Sequence, residues 1–148
     1  MKIIEIIINK AEIFNEVSLN SAYTGAKSSP EDSGFFDRVA TVEADEELLS
    51  KFWTEMCGET TDRLREFIQT TATTAEAFKL TLEVSGSYDD SLTGSVTADI
   101  SSAFTAGMCA GWFRFSVPAL SEQWRLDSAN LFRRAISKLC YRKRPQRP

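Results

Sequence analysis

The stretch DEELLSKFWTEMCGETTDRLREFIQ, residues 45–69, decides the fold class. Leu49, Phe52, Trp53, Met56, Thr60, Leu64, Phe67 and Ile68 return along it at steps of three and four, which lays them on one side of an α-helix. Asp45, Glu46 and Glu47 stand in what would be the first turn, where carboxylates complement the partial positive charge of a helix N-terminus. The spacing predicts one long amphipathic helix over residues 45–69, ended by the threonine-rich residues 70–74. Gly58 inside it costs about 1 kcal/mol relative to alanine, so a close helix contact or a bend is expected there.

Downstream, FKLTLEVS (residues 78–85) alternates apolar and polar side chains and reads as a strand with one wet face. GSYDDSLTG (residues 86–94) reads as a turn or loop, with a little more strand at 92–96. Val96, Ile100, Phe104, Met108, Gly111 or Trp112, and Phe115 then share a helical face, with Ala103, Gly107, Ala110 and Gly111 small enough to let another backbone approach. Pro118 suits an early position of a last helix whose apolar face is Leu120, Trp124, Leu131, Ala135 and Leu139. Upstream, KIIEIII (residues 2–8) is rich in β-branched isoleucine and fits a strand; it is too short to span a membrane and lacks a signal-peptide cleavage site. A short helix is expected over residues 11–23 and a loop over 24–36. The expected fold is a single domain, mainly α with a minor β element (α+β). It would be a small helical bundle with a short sheet or hairpin at residues 78–96 and extended terminal arms at 1–9 and 141–148.

Histidine is absent from the 148 residues, which excludes Ser-His-Asp and Cys-His catalysis and His-ligated zinc or haem. The three cysteines, Cys57, Cys109 and Cys140, form neither a CxxC pair nor an even disulfide framework, and point to a reducing compartment. Trp53, Trp112 and Trp124 fall on three expected apolar faces and should join one core. No glycine pattern suits a phosphate, and no cofactor or metal is expected.

Charge is unevenly placed. The net charge is −4, yet residues 133–148 hold seven of the 17 cations and no acid, so the first 132 residues sum to −11. Glu55, Glu59, Asp62 and Glu66 step by four, three and four, which makes either a solvated helix face, with Glu59 and Arg63 at i,i+4, or a surface for a basic partner. Asp89 and Asp90 suit turn chemistry better than calcium or acid–base work. The arm YRKRPQRP (residues 141–148) reads as either a solvated tail or a stiff cationic strand able to lie in an acidic groove or along phosphates.

The order of elements resembles that of small head-tail connector, or adaptor, proteins of tailed bacteriophages and prophages. The resemblance covers residues 45–145: an amphipathic helix, a short β element, a small-residue helix ending in Ala110-Gly111-Trp112-Phe113, a proline break, and a last helix running into a basic end. Leu139-Cys140-Tyr141-Arg142-Lys143-Arg144-Pro145 also looks like the ends of small proteins from prophage-like regions of Bacteroides-type bacteria. The resemblance implies a non-enzymatic virion protein, assembled in the host cytoplasm, that joins a homo-oligomeric ring beside portal or tail proteins. On that expectation the partner-binding residues are Glu55, Glu59, Asp62 and Glu66, met by Tyr141, Arg142, Lys143, Arg144 and Arg147 of a neighbour. The Ile-rich strand departs from compact helical connectors, and two pairings stay open for it: within its own chain, or with an adjoining subunit's strand. The rival reading is a nucleic-acid-binding accessory protein using the arm, against which the acidic body argues; an enzyme built on Asp89 and Asp90 ranks last. No membrane contact is expected.

Overall fold

A computed structural model describes residues 1–28 and 45–142, with only the backbone of 24–28. The chain forms β1 (Lys2–Asn9), α1 (Lys10–Ser28), α2 (Glu46–Arg63), β2 (Ile68–Thr73), β3 (Ala77–Val84), α3 (Thr93–Phe113) and α4 (Pro118–Cys140). It is a mainly helical α+β fold with a small antiparallel sheet in the order β1-β3-β2.

The sheet turns one face to the helices. Ile4, Ile6 and Ile8 of β1 are buried beside Phe78, Leu80, Leu82 and Val84 of β3, in a register that sets Ile6 against Leu80. Although β1 is apolar nearly throughout, the period-two geometry of a strand sends Ile3 and Ile7 to the open face. Asn9 then closes β1 and caps α1: its Oδ1 accepts the Glu12 backbone N–H at 3.1 Å.

α3 is the axis of the fold. Val96, Ile100, Ala103, Phe104, Met108, Cys109 and Phe113 are all fully buried, the pattern of a helix enclosed on most sides. α1, α2, α4 and β1 all pack on it. Rings join the layers: Trp53 of α2 lies 5.0 Å from Phe104 and 6.2 Å from Phe14 of α1, and Phe104 lies 6.0 Å from Phe78 of β3. α3 and α4 form a close antiparallel pair. Ser121 and Ser128, one heptad apart on α4, donate to the carbonyls of Ala110 and Ala103 at 2.6 and 2.8 Å.

The helix expected over residues 45–69 stops at Arg63, and Ile68–Thr73 pairs with β3 instead. The β-branched threonines favour extended backbone, and the second edge of β3 offers them hydrogen-bond partners that a continued helix would have left unpaired. Glu66 and Phe67 consequently sit in the turn after α2. The β2–β3 hairpin closes without glycine or asparagine: Thr74 Oγ1 accepts the Glu76 and Ala77 backbone N–H groups, and Thr74 N–H donates to the Ala77 carbonyl.

Other boundaries move too. Residues 93–96 are helical rather than strand, so the β element comprises β2 and β3 and does not reach residue 96. α1 runs on through residues 24–28 of the expected loop, since one glycine costs about 1 kcal/mol, too little to halt an established helix. The remainder of that loop, residues 29–36, lies outside the described residues. Phe115 falls beyond the end of α3 and is 91% exposed. On α4 the deep face is Ser128, Phe132, Ala135 and Leu139, while Leu120, Trp124 and Leu131 are half-buried at its border. Trp53 alone of the tryptophans is fully in the core, while Trp112 and Trp124 pack against its rim.

The glycines divide by what they face. A methyl group on Gly111 would stand 2.9 Å from the Phe52 ring, and one on Gly107 would overlap the Met56 thioether, so side chains of α2, and not a neighbouring backbone, fill these notches. Gly58 faces open space, so of the two expectations for it, a close helix contact or a bend, the contact is not there. Gly58→Ala should therefore stabilise the protein by about 0.5–1 kcal/mol through helix propensity. Gly111→Ala should destabilise it by about 1–2 kcal/mol despite the same propensity gain, because the aromatic ring has to shift. Urea denaturation of both variants checks the opposite signs.

Candidate interaction surfaces

β1 lies at an edge of the sheet, and no strand pairs with its outer side among the described residues. Ile3 and Ile7 are 53% and 49% exposed on the open face, across from Glu83 and Lys79 of β3. An eight-residue edge strand with five isoleucines is a template for another strand.

The other surfaces depend on where the charges go. Glu55 and Asp62 are exposed on α2, but Glu59 is half-exposed and its Oε1 accepts from Arg63 Nε at 2.9 Å. The Arg63 guanidinium in turn lies 5.1 Å above the buried Phe132 ring, which ties α2 to α4. Glu66 is exposed but past the helix end, so the four acids do not form one continuous helical face. It lines a hollow with Met1, Glu83, Cys140 and Arg142, on the side of the molecule where α4 ends.

Tyr141 and Arg142 leave α4 in extended conformation, and Arg142 forms a β-bridge with Tyr88. Tyr88, expected in an ordinary loop, is 1% exposed. Its hydroxyl lies 3.1 Å from Thr93 Oγ1, and its carbonyl accepts from Lys2 Nζ at 3.1 Å. The Lys2 ammonium also bonds Asp90 at 3.0 Å, while Asp89 Oδ1 accepts from the Ser91 backbone and hydroxyl, so both aspartates perform turn and anchoring work. Lys143, Arg144 and Arg147 lie outside the described residues.

The basic run begins earlier than the arm, and part of it is consumed within the fold. Asp99 of α3, 6% exposed, accepts from Lys138 Nζ at 2.6 Å and lies 3.5 Å from the Arg134 guanidinium. Lys138 Nζ also donates to Ser95 at 2.6 Å. Sequence reasoning passed over Asp99, although a lone carboxylate amid the apolar residues of α3 and two cations four apart on α4 were a usable signal.

Between α1 and α4 runs a groove of about 650 Å³, floored by Thr105 and Ala106 of α3. Glu12 and Glu16 lie on its α1 wall, Asp127, Trp124 and Arg134 on its α4 wall. The Trp124 indole Nε1 is shut off from water and has no hydrogen-bond partner among the described residues, a state that costs about 1–3 kcal/mol. Outside the groove, the Glu122 carboxylate bonds Arg125, which holds its pKa below the usual value.

Burial pushes the Cys57 thiol up to about 11 and Cys109 up to about 12, whereas Cys140 is exposed. Among the described residues no three Cys, Asp or Glu side chains gather in a way that could hold a metal ion, and no helix is long and apolar enough to cross a membrane. Compared with known proteins, the chain matches no family model, no curated protein and no solved structure.

Two outcomes follow from this chemistry. Lys138→Met leaves the Asp99 carboxylate buried with only the more distant Arg134, and should cost about 2–3 kcal/mol in urea denaturation. Both core thiols stay protonated well above pH 8, so a thiol-reactive reagent at that pH should label Cys140 alone in the folded chain and all three cysteines in urea.

Proposed function

We propose that the protein is a non-enzymatic assembly subunit that docks on copies of itself, in the manner of a phage-type head-tail connector or tail adaptor forming a homo-oligomeric ring beside portal or tail proteins. As such it is a virion component assembled in a bacterial host. One observation carries the reading: among the described residues β1 presents an unpaired edge, with two half-exposed isoleucines on the adjoining open sheet face. Proteins that work as monomers blunt such an edge with charges, proline or a covering element; here the alternate outward residues are Ile3, Glu5 and Ile7, a single charge between two isoleucines. Pairing of β1 with a neighbour's strand would satisfy its free backbone groups and cover the isoleucines in one step.

The order of elements over residues 45–142 supports the connector reading, since an amphipathic helix, a β element, a buried small-residue helix and a final helix ending in a basic segment follow one another as in the resemblance. The anchoring of Arg142 on Tyr88 supports it as well, because it fixes the root from which a basic arm can extend to a neighbour.

Size-exclusion chromatography with light scattering tests the proposal. The wild-type chain should self-associate at micromolar concentration. Ile3→Lys/Ile7→Lys should be monomeric with an unchanged circular dichroism spectrum, because neither side chain is in the core. A wild-type chain that stays monomeric at every concentration and salt would sink the reading.

A further inference from the structure

We infer that the groove between α1 and α4 is the receptor for the basic C-terminal arm of a second copy of this chain; the inference rests on the assembly reading above. Arg142-Lys143-Arg144-Pro145-Gln146-Arg147-Pro148 sets a Pro-x-x-Pro pair among four cations. A segment of this kind favours the polyproline II conformation, which loses little entropy on docking and binds in grooves lined by aromatic rings.

The groove answers each of these features. Trp124 supplies the aromatic ring on the α4 wall. Among the described residues, Glu12, Glu16 and Asp127, exposed along the two walls, set three negative charges against the one positive charge of Arg134, and that guanidinium already lies 3.5 Å from Asp99. Charge therefore selects a cationic occupant. The acids of α2 are a poorer receptor, because Glu59 is taken by Arg63 and Glu66 sits beyond the helix end.

Reach selects a second copy over the arm's own chain. Arg142 is bridged to Tyr88 past the C-terminal end of α4. From there back to Asn130, midway along the groove, is about 18 Å at the rise of an α-helix. The five steps from Arg142 to Arg147 span at most about 18 Å when fully stretched. In its own chain the arm would bring one cation near the middle of the groove, whereas a neighbour's arm can lay all of its cations along the walls.

The test titrates a fluorescein-labelled peptide of residues 141–148 into the full-length protein and reads anisotropy. Saturable binding is expected, at least tenfold weaker to Glu16→Lys/Asp127→Lys and within twofold of wild type for Glu47→Lys/Glu76→Lys, which changes the net charge equally away from the groove. The same peptide carrying Pro145→Ala/Pro148→Ala should bind at least threefold more weakly. Trp124→Leu, checked by circular dichroism, should weaken the peptide at least fivefold. Equal loss in both charge-reversed proteins, or equal binding of the proline-free peptide or of spermine in its place, would reduce the groove to an unspecific cation sink and overturn the inference. A peptide that fails to bind while the chain self-associates overturns it and leaves the assembly reading standing. A peptide bound in the groove of a chain that never self-associates sinks the assembly reading and the second-copy occupant together.

Discussion

The burial of α3 is the constraint on which the rest of the structure depends. A helix with Ile100, Phe104, Met108 and Phe113 fully enclosed has to be covered on most of its sides, and α1, α2, α4 and the sheet are the cover. Its small residues decide how close each neighbour comes. Ala103 and Ala110 let the serines of α4 reach the α3 backbone, and Gly107 and Gly111 receive Met56 and Phe52 from α2. The same enclosure explains why Asp99 needs partners: a carboxylate on the margin of such a helix is stable only where cations meet it, and Lys138 and Arg134 do so from the neighbouring helix.

What was legible in the sequence follows from how local each signal is. The alternation of Phe78, Leu80, Leu82 and Val84 and the steps of three and four from Leu49 to Leu64 report which side of an element is buried, and the structure buries those residues. Phe67 and Ile68 extend the same spacing, yet the pairing partner that draws the following threonines into β2 is β3, reached only through the fold. Tyr88 was hidden for a similar reason: it sits among turn-forming residues, and only the approach of Lys2 and Arg142 from the two ends of the chain shows why it is enclosed. Loop chemistry predicts a turn; it does not say what packs over it.

Charge was the least legible property, because its meaning depends on distance. The seven cations after residue 132 look uniform in sequence, but Arg134 and Lys138 neutralise an internal carboxylate while Arg142 stands at the root of the arm. The acids of α2 likewise separate into a paired Glu59, exposed Glu55 and Asp62, and a displaced Glu66. The α1–α4 groove could not be found from spacing at all, since its walls come from segments more than a hundred residues apart in the chain.

The clasp at Tyr88 has a consequence for the topology of the chain. Lys2 and Arg142 meet there, so the first strand and the end of the last helix emerge at the same pole. A covalent bridge between them needs to be only a few residues long. The polypeptide could then be reopened at the exposed hairpin around Ala75, giving a circular permutant in which every packed element keeps its neighbours while the order of synthesis changes.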